Sequence, residues 1–233
     1  MRAAAVGAAP GTIDALMLTH LHSDHVTDFN DVITTRWITS FAPSPLRVIG
    51  PPGTQHLRDA TLEMLRPDIR YRLDHHDDLT WEPPVDVTEV LDDVAWNEGG
   101  IVIVAAPTDH RPVHPTIGYR VEADDRVVAI AGDTIPCEGL DRLCADADVY
   151  VQTVVRRSLV EAVPVQRFRD ILDYHSSVED AAHTAARAGV RTLVLNHLVP
   201  APIDGTEDEW RAEAAEHFDG EIIVAHDLLT IPA

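Results

Sequence analysis

Lysine is absent from this chain. All 18 basic residues are arginine, set against 39 acidic ones, for a formal net charge of -21. A protein whose main partner is a nucleic acid usually carries a basic footprint, because phosphate neutralisation dominates that affinity. Broad, non-specific nucleic-acid binding is excluded on this ground; a local arginine cluster is not. Long apolar runs are also missing. No stretch approaches the roughly 20 residues that span a bilayer, and Met1-Arg2-Ala3-Ala4-Ala5-Val6-Gly7 is too short for a secretory leader with an apolar centre. No membrane partner is expected. Cysteine is scarce: Cys137 and Cys144 make neither a disulfide framework nor a C-x-x-C pair, and packing as free thiols in a reducing cytoplasm is the expectation. Internal repeats, heptads and low-complexity segments are lacking too.

What is present is an alternation. Runs rich in Val and Ile at 13–18, 46–50, 85–91, 101–105, 117–122, 126–131, 148–153, 191–195 and 221–225 read as strands. Stretches 30–39, 53–65, 178–188 and 207–217 read as helices. Ser177 followed by acids gives one helix start and Gly189 its stop. Thr206 with Glu209 predicts a capping box for the last helix. At 233 residues and 45% apolar, this is the pattern of one α/β domain spanning 1–233.

Seven residues stand out. Thr19-His20-Leu21-His22-Ser23-Asp24-His25 follows the apolar run Ile13 to Leu18 and holds three imidazoles and a carboxylate, the ligand types that zinc prefers. On an extended segment His20 and His22 share a side. Asp24 and His25 come where the chain turns into a helix and face a second point. The stretch resembles the HxHxDH motif of the metallo-β-lactamase superfamily, where the first two histidines bind one metal and the Asp and last His another. Ligand-type residues also follow three strand-like runs: His110 after Ile101–Ala105, Asp133 after Arg126–Ala131 and Gly132, and His197 after Arg191–Leu195. The resemblance then implies a dinuclear site carrying two zinc ions, or manganese or iron: His20, His22 and His110 on one, Asp24, His25 and His197 on the other, Asp133 between them. It also implies the αββα four-layer sandwich. The usual N-terminal strand, Gly-rich turn and strand are lacking here, so an edge left open, or a homodimer, is expected.

A narrower resemblance is to the ribonuclease Z family. Tyr174-His175-Ser176-Ser177-Val178-Glu179-Asp180, the Ile49-Gly50-Pro51-Pro52-Gly53-Thr54 loop and Gly189 to His197 carry it. In that family the His matching His175 sits near the scissile phosphate, with Ser176 beside it on the substrate side. Imidazole suits proton donation to a departing alkoxide; the other reading of His175 is a cap for the helix that follows. Asp24 is expected to orient the attacking water and take its proton. One departure concerns substrate. Family members that process transfer RNA commonly insert a basic arm between the ligands at His110 and Asp133, whereas segment 111–132 holds only a short loop and a hairpin. With the acidic balance, RNA, including precursor transfer RNA, therefore stands beside a small ester, lactone, sulfate or β-lactam as substrate. Iron-based redox chemistry and a non-catalytic paralogue are further readings; the intact His22 and His25 and the complete ligand set oppose them. His114 reads either as a pocket rim or as plain loop. Arg156 and Arg157 read either as phosphate ligands or as surface ion pairs. His75-His76-Asp77-Asp78 reads as a solvated loop, and Trp81, Trp96 and Trp210 as packing residues.

Overall fold

The computed structural model describes residues 3–203 and 205–231. Backbone contacts divide the chain into two compact units, Met1–Val90 and Leu91–Ala233.

The first unit opens with two 3-10 turns, Ala3–Val6 and Pro10–Thr12. Strand β1 (Ala15–Met17), helices α1 (Ser23–Val26) and α2 (Phe29–Thr39), strand β2 (Leu46–Gly50), helix α3 (Thr54–His75) and strand β3 (Val85–Glu89) follow. The strands form a parallel sheet in the order β1-β2-β3. Parallel neighbours need long crossovers, and the helices supply them. Central β2 is covered on both faces and reads Leu-Arg-Val-Ile-Gly, as a buried parallel strand should. Leu18, Phe29, Val32, Ile33, Leu46, Val48 and Val85 make the core. Helix α3 runs well past the expected end at 65 and carries Pro67 in its interior; the Arg72–Asp68 pair at 2.8 Å and buried Ile69 anchor its far half. Its N-terminus is capped from outside. The Glu89 carboxylate accepts from the Gly53 and Gln55 amides at 2.8 and 2.9 Å, satisfying donors that a helix leaves open.

The second unit contains β4 (Asp93–Glu98), β5 (Ile101–Pro107), β6 (Ile117–Ala123), β7 (Arg126–Ile130), α4 (Glu138–Cys144), β8 (Val149–Val155), α5 (Arg157–Glu161), α6 (Gln166–Arg169), α7 (Val178–Ala188), β9 (Thr192–Val199), α8 (Glu207–Ala215) and β10 (Glu221–Val224). One sheet orders them β10-β9-β8-β7-β6-β5-β4. Strands β5 and β7 both run antiparallel to β6, and β7 to β10 are mutually parallel. Five strands thus end at the same edge, which is where α/β sheets place ligands. Helices α4, α7 and α8 cover the sheet through Leu140, Leu143, Ala181, Ala182, Ala185 and Trp210, joined by Phe218 beyond the end of α8 and packed with Tyr150, Leu193 and Leu195.

The expected capping box of α7 is present: Ser177 accepts from Asp180 N at 3.1 Å, and Asp180 accepts from Ser177 N at 2.9 Å. The one expected for α8 is not. Thr206 has non-extended backbone angles, and its hydroxyl donates back to Ile203 O at 2.7 Å, a local bond that competes with capping. Segment 111–132 is a short loop and the β6–β7 hairpin, as expected. Asp124 and Asp125 turn the hairpin, both at positive φ, as a two-residue turn requires.

Candidate metal centre

In the first unit, the chain leaves the carboxyl end of β1 and stays on β2 for one further bond, Leu18 N to Ile49 O at 2.8 Å. The histidine-rich stretch follows at once. His20 is fully buried. Its Nε2 lies 3.2 Å from His22 Nδ1, and its ring centroid 4.1 Å from that of His25. His22 is extended (ψ 149) and opens α1, whose first turn carries Asp24. The expected change from extended chain to helix between His22 and Asp24 is therefore present. His25 Nε2 is 3.6 Å from the exposed Asp24 carboxylate.

In the second unit, His110 follows β5 and Asp133 follows β7. Their loops are braced together: Ile135 N donates to Asp109 O at 2.8 Å, and Asp109 N to Thr134 Oγ1 at 3.0 Å. Gly132 turns the chain at φ 67, a conformation that costs glycine little. The Tyr174–Ser177 loop docks at the end of β8, with Val155 N donating to Ser176 O and Ser176 N to Thr134 O, both at 2.9 Å. Ser176 is buried, and its hydroxyl donates to the same Thr134 carbonyl at 2.7 Å. These bonds put three side chains together. His175 Nε2 lies 3.3 Å and His110 Nε2 3.8 Å from Asp133 Oδ2, and the two ring centroids are 4.8 Å apart.

The opposite ring nitrogens fix the chemistry. His110 Nδ1 donates to Tyr174 O at 2.7 Å, and His175 Nδ1 to Ile171 O at 2.9 Å. A carbonyl only accepts, so the hydrogen of each neutral ring is on Nδ1 and Nε2 presents a lone pair. His110 Nε2 and the buried Asp133 carboxylate, 3.8 Å apart, are donors of the kind a divalent metal ion takes, while His175 Nε2 is within hydrogen-bonding distance of the same carboxylate. His197 is in β9 at φ 46. Here the β8–β9 register slips, with Thr153 opposite Asn196 but Val155 opposite Val199. A bulge of this kind re-aims a side chain, and a left-handed histidine is a backbone state that costs energy.

Sequence reasoning missed the supports: the carbonyls of Ile171 and Tyr174, the Thr134 hydroxyl, and Arg111, which binds Asp109 through Nε at 2.9 Å and holds its carboxyl below the usual carboxylate range. His114 lines a cleft with His110, Arg111 and Cys137, the rim position. Arg156 is committed to Glu209 and Glu213 at 2.5 and 3.0 Å, so its ion-pair reading holds. Cys137 and Cys144 are free; burial pushes the Cys144 thiol up.

Strand ends that gather imidazole and carboxylate define a class of metal-dependent hydrolase. The sequence pattern of the β-lactamase superfamily domain matches residues 2–198. The solved metallo-β-lactamase fold protein YhfI from Bacillus subtilis superposes with a TM-score of 0.66 at 21% identity, over 95% of this chain and 78% of that one. Human tRNase Z, short form, does so with 0.66 at 21% identity, over 96% and 81%. The fold is the metallo-β-lactamase α/β fold expected from the sequence. A protein named Ribonuclease Z from Mycolicibacterium gilvum (strain PYR-GCK) is 56% identical over 229 residues, 97% of this chain and 80% of that protein. The chain belongs to the ribonuclease Z family of the β-lactamase superfamily.

Proposed function

We propose that residues 1–233 act as one domain, a ribonuclease Z-type phosphodiesterase that cuts RNA endonucleolytically, with precursor transfer RNA as substrate. The observation that carries this reading is the convergence of the His110 and His175 Nε2 atoms on buried Asp133. By the family resemblance, His20, His22 and His110 would hold one divalent ion and Asp24, His25 and His197 the other, with Asp133 contributing to both. Zinc is the metal that imidazole-rich sets of this kind favour. When bound, the ions would supply activation of water near neutral pH and neutralisation of phosphate charge.

The chain's own residues supply the rest. Asp24, exposed in the first turn of α1, orients the attacking water and takes its proton. His175 keeps its Nδ1 hydrogen on Ile171, so the proton it moves is at Nε2: with that nitrogen also protonated, facing Asp133, it would give this second proton to the departing 3′ oxygen. The products are a free 3′-hydroxyl and a 5′-phosphate. Ser176 holds the substrate-binding loop against Thr134. We place the protein in the cytoplasm as a homodimer; among the described residues no helix is long and apolar enough to cross a membrane.

The test is to assay one purified preparation on bis(p-nitrophenyl) phosphate, a precursor transfer RNA and a lactone, before and after chelation and zinc readdition. Zinc-restored cleavage of both phosphodiesters is the expected result. Lactone hydrolysis with neither phosphodiester cleaved would replace this reading with small-molecule hydrolysis. Predominant iron by metal analysis would reopen redox chemistry.

A further inference from the structure

Three metal-ligand side chains gather elsewhere in the second unit. Glu179 and His183 stand one turn apart on α7, and His217 follows the end of α8. One ligand atom from each lies within 4.8 Å of the others. His183 Nε2 is 3.6 Å from Glu179 Oε1, and the rings of His183 and His217 are 4.4 Å apart at 43°. The packing beneath explains the encounter. Helix α7 buries Ala181, Ala182 and Ala185, and Trp210, Ala214 and Phe218 from α8 and its end belong to the same core. Small side chains let two helices approach closely. Residues four apart share a helix face, so Glu179 and His183 both point outward while the alanines point in.

We propose that Glu179, His183 and His217 form a binding site for a late first-row divalent cation of the zinc class, separate from the catalytic residues. Two imidazoles and a carboxylate are a ligand set used by three-ligand zinc sites, with water completing the shell. Bonds of about 2.0–2.2 Å place donors roughly 3.3 Å apart, a spacing the three reach by small rotations of exposed side chains. Imidazole favours zinc, nickel or copper over magnesium or calcium. A chain of net charge -21 adds a field that draws cations. The ion would clip the end of α8 to α7 from outside.

The experiment is equilibrium dialysis of the holoenzyme against Zn2+, with zinc per chain measured by mass spectrometry. The wild type is compared with His183→Ala/His217→Ala and with Glu179→Gln. The wild type is expected to hold one zinc more per chain than the double variant. Glu179→Gln is expected to bind that zinc about tenfold more weakly, with phosphodiesterase rates unchanged in all three. The readout is a difference between variants, so it stands or falls apart from the dinuclear reading. All three positions are at least partly exposed, and circular dichroism checks that each variant is folded. Equal zinc in folded wild type and double variant would overturn the proposal and leave a stacked imidazole pair beside a helix ion pair.

Discussion

At His175 two hydrogen-bond partners separate two duties. Nδ1 is fixed by the Ile171 carbonyl, and Nε2 faces Asp133. His175→Ala is therefore expected to lower kcat on a phosphodiester by roughly 10²–10⁴-fold, the range for losing a positioned proton donor, with metal content unchanged. Single-turnover rates beside metal analysis check this; wild-type kcat in the variant would remove His175 from the chemistry. The residues that carry reactive groups were legible in the sequence, because imidazoles and carboxylates are few and their spacing is informative. Their supports were not. The carbonyls of Ile171 and Tyr174 fix two histidine tautomers, yet every residue has a carbonyl, and only the folded chain selects these. Nor could sequence foretell that Ser176 would be buried with its hydroxyl on Thr134.

Among elements, the strands of both sheets announced themselves by runs of Val and Ile bounded by Gly, Pro or Asp. Strand β4, Asp-Val-Ala-Trp-Asn-Glu, did not: it is a largely exposed edge whose charged ends read as loop. The far half of α3 was hidden by Pro67, a residue that usually ends a helix. Short α4 was hidden too, and its place depends on a close approach. A Cβ on Gly139 would come 1.8 Å from Pro107 O, three residues before His110. Gly139→Ala must shift α4 or the end of β5. A loss of about 1–3 kcal/mol is expected by analogy with overpacking, with a drop in kcat, read from urea unfolding and steady-state kinetics. Asp148 ties three elements together. It accepts from Val127 N at 2.9 Å, Arg126 Nη1 at 3.1 Å and Arg191 Nη1 at 2.8 Å, and these hold its carboxyl below the usual range. A lowered folded-state pKa means that its stabilisation is complete above the unfolded value of about 3.9 and is lost as pH falls through the folded value. Asp148→Asn should therefore melt below the wild type at neutral pH, and the gap should close as pH drops below about 4. Thermal melts across pH test this; a gap that persists in acid would assign the effect to packing instead.

For the whole molecule, charge makes the sharpest demand. The alternation of strands and helices made the fold class legible, and the HxHxDH stretch made the chemistry legible. The meaning of -21 net charge for a family whose substrate is polyanionic was not legible, because net charge says nothing of where positive potential concentrates. Without lysine, and with Arg156 committed to Glu209 and Glu213, distant attraction does not gather RNA onto this surface. A basic nuclease loses affinity steeply with salt, because each phosphate contact releases counterions. Here the long-range interaction is repulsive, and raising salt from ~10 mM to ~100 mM shortens its reach from ~30 Å to ~10 Å. At saturating divalent metal, kcat/KM for RNA is therefore expected to hold or rise over that range, while kcat/KM for the small bis(p-nitrophenyl) phosphate changes little. Initial rates on both substrates across the salt series decide the matter. A tenfold or greater fall confined to RNA would show that a local arginine surface, rather than the whole-molecule charge, governs the encounter.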